Sequence, residues 1–226
     1  MAACLMIWLL PCPVGTLDFE GPAVMPLQNR VHASGRLEAH TARGTMMGNR
    51  GGRIHDPETQ ELKRGHLWAS RRWISCLLAF KGRHRKVWGA GYTELFFLDE
   101  VTALSAGHRP CFECRRADAQ DFQNALFDGF RGDAGWTASP GADAMDRCLH
   151  TARTGQKPTT WTAEDFPIGT MLECNKSVFA ISHHGLLEWT FDGYQEPRSM
   201  PKGANWTLLT PKPIVGALRA GYRPAW

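Results

Sequence analysis

Residues 94–114 combine a strand, a short helix and two closely spaced cysteines within one stretch of the chain. The segment reads Glu-Leu-Phe-Phe-Leu-Asp-Glu-Val-Thr-Ala-Leu-Ser-Ala-Gly-His-Arg-Pro-Cys-Phe-Glu-Cys. A strand that ends in two phenylalanines is followed by Asp99, a good N-cap for a helix over 100–106. Cys111 and Cys114 come next, and a turn of that size lets both thiolates bind one soft cation. The stretch therefore predicts a compact local fold and a metal site.

The order of strand, helix and Ala-Gly-His-Arg-Pro-Cys-x-x-Cys over residues 94–117 resembles the second half of the zinc-binding module of Ada-type methylated-DNA repair proteins. The resemblance implies an Ada-like strand–helix–Cys-x-x-Cys element with zinc at Cys111 and Cys114. It does not imply an activity, and it covers only this part of the chain. The Ada-type module takes two further ligands from upstream of the Phe-Phe strand, where residues 80–86 contain no cysteine here.

A closed structural zinc site needs four ligands, so the cysteine pair requires partners from elsewhere in the chain. The sequence offers several thiols and imidazoles and does not decide among them. The candidates for the third and fourth ligands are Cys76, His84, His108, Cys148 and His150.

Charge is unevenly distributed along the chain. Residues 25–90 hold thirteen Lys and Arg against four acids, although the net charge of the whole chain is only +4. A concentration of this kind predicts a nucleic acid or another polyanion as the partner, and the alternative is a solvated basic face. The candidate phosphate-binding residues are Arg43, Arg50, Arg53, Arg71, Arg72, Lys81, Arg83, Arg85 and Lys86.

Within this basic part, residues 43–53 are predicted to form a glycine-punctuated loop. Such a loop presents backbone N–H groups together with guanidinium groups, which is what a phosphate requires. The other interpretation is a structural loop whose glycines adopt positive φ angles. The segment lacks the Gly-Lys-Ser/Thr ending of a Walker loop.

The pattern of apolar residues and turn signals predicts an α+β fold with small, mostly antiparallel sheets and short helices. We expect a hairpin whose first strand covers 72–80 and whose second begins at 87–89. Pro110 suits the first turn of a helix over 110–128. The remaining predicted elements are a linker at 129–142, helices at 143–153 and 213–220, and strands at 169–174, 177–182, 185–191 and 206–210.

The predicted domain organisation has three parts. Residues 1–24 are interpreted as a disordered tail or a mis-assigned start upstream of Met25, with a secretory signal as the alternative. Residues 25–130 form a basic Ada-like domain, and 143–226 form a small subdomain packed on it. An odd number of scattered cysteines predicts a cytoplasmic protein. The chain contains no run of apolar residues long enough to predict a membrane span.

The sequence features are compatible with two functional classes. The first is a zinc-binding protein that interacts with nucleic acid. The alternative is a hydrolase or nuclease acting on a phosphate-bearing substrate, with catalytic candidates Glu94, His108 and His150 around the cysteines. A zinc deaminase also places Pro-Cys-x-x-Cys after a glutamate, but Tyr92 stands where its upstream ligand belongs. A thioredoxin-like redox pair is disfavoured because a helix end, not a strand, precedes the cysteines.

Overall fold

The computed structural model describes residues 25–84, 86–155, 160–161, 166–199 and 205–226. Two six-stranded sheets, a two-stranded sheet and four helices lie within these ranges. Most strand pairs are antiparallel, which confirms the predicted α+β class. The expectation for residues 1–24 lies outside the described residues.

The first sheet carries Arg50 and Cys76, and the Cys-x-x-Cys turn directly follows its last strand. Its strands lie in the order β2-β1-β7-β3-β6-β8. The β1–β7 and β6–β8 pairs are parallel, and the other pairs are antiparallel. The strands are β1 (Arg30–Val31), β2 (Leu37–Glu38), β3 (Met46–Arg50), β6 (Trp73–Leu77), β7 (Leu95–Phe97) and β8 (Arg109–Pro110). The short β4 (His55–Asp56) and β5 (Glu61–Leu62) pair separately.

The second sheet is antiparallel throughout, in the order β13-β12-β11-β10-β14-β9. Its strands are β9 (Thr160–Trp161), β10 (Met171–Cys174), β11 (Ser177–Ser182), β12 (Gly185–Thr190), β13 (Gly193–Tyr194) and β14 (Trp206–Leu208). Sequence analysis anticipated four of these, because their alternating apolar residues and glycine turns are local signals.

The helices pack around one apolar cluster. They are α1 (Glu100–Ser105), α2 (Arg116–Ala134), α3 (Ala142–Gly155) and α4 (Lys212–Arg219). Leu104, Phe122, Leu149 and Ile214 share this core, one from each helix. The cluster therefore joins residues on both sides of the predicted boundary between 130 and 143. None of the helices in the described ranges is both long and apolar enough to cross a bilayer.

Helices α2 and α4 approach each other closely at a pair of glycines. A Cβ atom added to Gly129 would lie 2.0 Å from the Gly216 carbonyl oxygen, and one added to Gly216 would lie 2.7 Å from the Gly129 oxygen. No side chain fits at either position, so the two helix backbones can touch only because both residues are glycine.

Two predictions for the basic part of the chain are wrong. The expected loop over 43–53 contains β3, an inner strand of the first sheet paired with both β6 and β7. The expected return strand at 87–89 is absent: β6 pairs with β3 and β8. Trp88 instead has a positive φ of 56° and is completely buried. Pairing of distant strands decided both outcomes, and local turn signals do not report it.

The predicted start of the long helix is also wrong. Pro110 belongs to β8, where it lies opposite Ser75, and α2 begins only at Arg116. The Cys-x-x-Cys segment is therefore a turn between a strand and a helix. By contrast, the N-cap prediction is confirmed, because an Asp99 carboxylate oxygen accepts a hydrogen bond from the Thr102 backbone N–H at 2.7 Å.

Candidate metal centre

Strand pairing brings a third cysteine to the Cys-x-x-Cys turn. Strands β6 and β8 are parallel, with Ser75 opposite Pro110. Cys76 follows Ser75 within β6, and Cys111 follows Pro110 just after the end of β8. The Cys111 N–H donates a hydrogen bond to the Ser75 carbonyl at 3.0 Å. Cys76 therefore lies directly beside the turn that carries the other two thiols.

The sulfur atoms of Cys76, Cys111 and Cys114 all lie within 4.8 Å of one another. In a tetrahedral zinc site with Zn–S bonds of about 2.3 Å, neighbouring sulfurs are separated by ~3.8 Å. Small side-chain rotations can supply the difference. All three residues have free thiols, so the cluster can bind a metal ion.

Hydrogen bonds lower the pKa of one of these thiols, that of Cys111, so that it loses its proton before the other two. The Cys111 sulfur accepts hydrogen bonds from the Cys76 thiol and from backbone N–H groups of the turn, including that of Glu113 at 3.4 Å. These hydrogen bonds lower the pKa of Cys111 to about 5. Hydrogen bonding to Cys111 and burial raise the pKa of Cys76. Burial raises the pKa of Cys114. Near neutral pH the cluster thus holds one thiolate, Cys111, and two thiols.

Arg115 fixes the turn to the rest of the protein. Its guanidinium bonds the Glu100 carboxylate at 2.8 Å and the Ser75 hydroxyl at 3.2 Å. Tyr222 also donates to Glu100, at 2.6 Å. Because Ser75 precedes Cys76 and Arg115 follows Cys114, these bonds hold the strand and the turn in one position.

A second buried ion pair supports the strand before the turn. The Arg109 guanidinium binds the Asp146 carboxylate through two hydrogen bonds, of 2.8 and 2.9 Å, and both side chains are buried. This bidentate geometry is typical of arginine, whose planar donors match the two oxygens of a carboxylate. It joins β8 to α3 and so fixes the position of Cys111.

The three thiols open into a cavity of about 330 Å³. The buried carboxylate Glu94 lines this cavity, and its Oε2 atom accepts a hydrogen bond from the Trp88 backbone N–H at 2.8 Å. The exposed His84 also lines it. At the rim, Arg83 and Glu113 form an exposed ion pair at 2.7 Å. The donor set is therefore three sulfurs with a carboxylate and an imidazole lining the same cavity.

The other candidate ligands lie outside the three-cysteine group. His108 is completely buried against Trp73 and Phe97, and burial lowers its pKa well below the usual value. His150 faces Arg153 and Trp68. Cys148 lines a separate cavity near α2 and α4. Of the three catalytic candidates, only Glu94 lines the cavity of the cysteines.

Most candidate phosphate-binding residues are exposed, and one is not. Arg50 has only 2% of its surface exposed, so it cannot belong to a solvated basic face. Arg85 lies outside the described residues. The exposed members of the set are Arg43, Arg53, Arg71, Arg72, Lys81, Arg83 and Lys86.

Sequence reasoning missed the residues that hold the turn, namely Arg109, Arg115 and their carboxylate partners. Their role depends on contacts between distant elements. The one local signal was the position of arginines next to both ends of the Cys-x-x-Cys segment.

Comparison of the chain with protein-family models, curated proteins and solved structures finds no match.

Proposed function

We propose that this is a zinc-binding protein whose metal is held by Cys76, Cys111 and Cys114. The observation that carries the proposal is the convergence of three thiols within 4.8 Å beside a cavity. Thiolates favour zinc over hard cations such as magnesium. Cys76 also supplies one ligand from upstream of the Phe-Phe strand, which is where Ada-type modules take two of theirs.

Three protein ligands leave one coordination position for another group. Closed structural zinc sites have four protein ligands, whereas sites that exchange a ligand have three. The potential donors that line the same cavity as the three thiols are the Glu94 carboxylate and the His84 imidazole, and either could hold the group that completes the site. The site thus suits a zinc ion that accepts a water molecule or an atom of a partner.

The proposed partner is nucleic acid. Arg83 lines the cysteine cavity, and Arg72 lines a neighbouring cavity that shares Cys111 and Glu113 with it. Both arginines form exposed ion pairs, with Glu113 and Asp143 respectively. Exposed pairs of this kind contribute little stability, so phosphate groups can replace the carboxylates. The odd number of scattered cysteines in the sequence favours a reducing compartment for this role.

Fluorescence anisotropy with single- and double-stranded oligonucleotides at several salt concentrations tests this partner. Binding should weaken steeply with salt, because each neutralised phosphate releases counterion. Absence of binding to every oligonucleotide at low salt would remove the nucleic-acid proposal and leave the zinc proposal standing.

Glu94 favours a second candidate function, a hydrolase acting on a phosphate-bearing substrate. Zinc with an exchangeable position polarises a bound water or a phosphoryl oxygen. The Glu94 carboxylate lines the same cavity and is held there by the Trp88 N–H, so it can accept a proton from a water molecule in the cavity. Neither His108 nor His150 lines this cavity.

A matched pair of carboxamide variants tests the hydrolase. Glu94→Gln should keep its zinc and lose hydrolysis of bis(4-nitrophenyl) phosphate and of oligonucleotides. Glu113→Gln, at the rim, should keep both. If the wild-type protein with a full complement of zinc hydrolyses none of these substrates, the nucleic-acid-binding role remains the proposed function.

A further inference from the structure

A second cavity, of about 750 Å³, shares no lining residue with the cavity of the cysteines. Its charged lining residues are Arg36, Arg50 and Arg153, and no acid lines it among the described residues. Much of the remaining wall is apolar or aromatic and includes Trp68 and Trp73. The cavity therefore combines positive charge with an apolar wall.

Arg50 brings a buried positive charge to this cavity. Its guanidinium donates to the carbonyl oxygens of Gly35 at 2.6 Å and Leu67 at 3.4 Å. No carboxylate pairs with it among the described residues, and its Nε has no hydrogen-bond partner there. Burial, together with the charge of Arg153, lowers the pKa of Arg50 to about 9.

Arg153 brings a second, partly buried positive charge to this cavity. It donates to the carbonyl oxygens of Gly107 at 3.0 Å and Arg71 at 2.6 Å, and its Nε also lacks a partner within the described ranges. Burial is the main cause that lowers the pKa of Arg153, again to about 9. Like Arg50, it forms no ion pair with a described carboxylate.

Both guanidinium groups lie against the same tryptophan. The Arg50 and Arg153 Cζ atoms are 3.9 and 4.1 Å from the centroid of the Trp73 ring. The ring offsets part of the cost of burying the two charges, but it supplies no negative charge. Buried cations in proteins are ordinarily paired with an anion. Arg50 thus lacks the counter-charge that its burial calls for. The Asp146 carboxylate acts on Arg153 from a distance and raises its pKa in part, but it is already bound to Arg109.

We propose that this cavity binds a small ligand that carries a phosphate or carboxylate group on an apolar, aromatic body. The anionic group binds Arg50 and Arg153, whose planar donors suit both oxyanions. At Arg50 it replaces the long bond to the Leu67 carbonyl, which lies in an exposed segment. The body of the ligand packs on Trp68 and the leucines of the wall. The cavity is large enough for a nucleotide-sized molecule.

Isothermal titration calorimetry and thermal unfolding of the full chain test the proposal with four probes. Adenosine 5′-monophosphate carries a phosphate on an aromatic body, and indole-3-acetate carries a carboxylate. Inorganic phosphate has the anion alone, and adenosine has the body alone. One of the two aromatic anions should bind and raise the melting temperature, which identifies the preferred oxyanion. Adenosine should not bind, and inorganic phosphate should bind more weakly.

Matched arginine variants locate the binding. Arg153→Gln should lower the affinity for the aromatic anion at least about tenfold, because a charge-assisted contact is lost. Arg131→Gln, at an exposed position that does not line this cavity, should change the affinity less than about threefold. If Arg153→Gln does not fold, Arg50→Lys, which keeps the charge but loses the planar fork, provides the same comparison. Zinc content reports that each variant keeps the cysteine site.

Two results would overturn the proposal. One is that neither aromatic anion binds the wild-type chain. The other is that an anion binds the wild type and the Arg153→Gln or Arg50→Lys variant equally. Either result would mean that the two arginines serve only to hold backbone carbonyls in place.

Discussion

The sulfur atoms of Cys76 and Cys111 lie within 4.8 Å of each other because Cys76 lies in β6 and Cys111 directly follows β8, and these two strands pair in parallel with Ser75 opposite Pro110. A parallel pair of this kind joins segments that are distant along the chain. The metal centre is therefore a product of the sheet as much as of the Cys-x-x-Cys turn. Changes that disturb the β6–β8 pairing should disturb the site.

The buried pair of Arg109 and Asp146 supports β8, and its contribution to stability can be measured. Asp146→Asn should lower the free energy of unfolding by about 3 kcal/mol, because it leaves the Arg109 charge buried and unpaired. Asp143 lies in the same helix as Asp146 but forms an exposed ion pair, with Arg72. Asp143→Asn should therefore lower the free energy of unfolding by less than about 1 kcal/mol. Urea denaturation measures both values. Equal losses in the two variants would show that burial of the Asp146 pair has no special role.

The contact between α2 and α4 gives a prediction with an internal control. Gly129→Ala should lower stability by about 1–3 kcal/mol, since its Cβ would clash with the Gly216 carbonyl. Gly132→Ala, in the same helix with open space around it, should raise stability by up to about 1 kcal/mol. Thermal unfolding distinguishes the two signs. A stabilised Gly129→Ala variant would mean that the helices are not in contact there.

These comparisons also show what could be predicted from the sequence. The hairpin of β11 and β12, the N-cap at Asp99 and the α+β class follow from local signals, and the structure confirms them. Arg50 was assigned to a loop because glycines surround it, but tertiary pairing places it in an inner strand. Gly48 is needed within that strand because a Cβ there would lie 2.3 Å from the Ile74 carbonyl oxygen. A glycine required for close packing has the same sequence signature as one required for a turn.

The candidate metal site was only partly predictable for the same reason. The Cys-x-x-Cys spacing identifies Cys111 and Cys114 directly. Cys76 was one of five possible partners, and nothing local separates it from the others. Its selection depends on the register of β6 against β8, which no short motif encodes.

The hydrogen bonds within the cluster predict the proton balance of metal binding. Near neutral pH, Cys111 is already a thiolate because its pKa is lowered to about 5. Cys76 and Cys114 have raised pKa values and are protonated. Zinc binding should therefore release about two protons per chain, because metal ligands must be deprotonated. Zinc affinity should accordingly rise with pH.

Calorimetry of zinc binding in buffers of different ionisation enthalpy measures this proton release. Release of about three protons, one for each thiol, would show that Cys111 is not a thiolate beforehand.

The proposed nucleic-acid interface predicts a defined change in salt dependence. Replacing Arg83 and Lys86 with alanine should lower the salt slope by about 2 if both contact phosphates. The double variant Arg131→Ala/Arg147→Ala removes the same charge from exposed positions outside residues 25–90 and should leave the slope unchanged. Fluorescence anisotropy over a range of salt concentrations measures each slope. Equal changes in both variants would indicate a response to net charge alone.

The most direct test of the three-cysteine centre is the zinc content of the purified protein and of five single variants, measured by inductively coupled plasma mass spectrometry. The wild type should contain about one zinc per chain. Cys76→Ser, Cys111→Ser and Cys114→Ser should each lose most of it, whereas Cys148→Ser and Cys174→Ser, outside the cluster, should keep it. Full zinc in Cys76→Ser, or no zinc in the wild type purified under reducing conditions, would contradict the account.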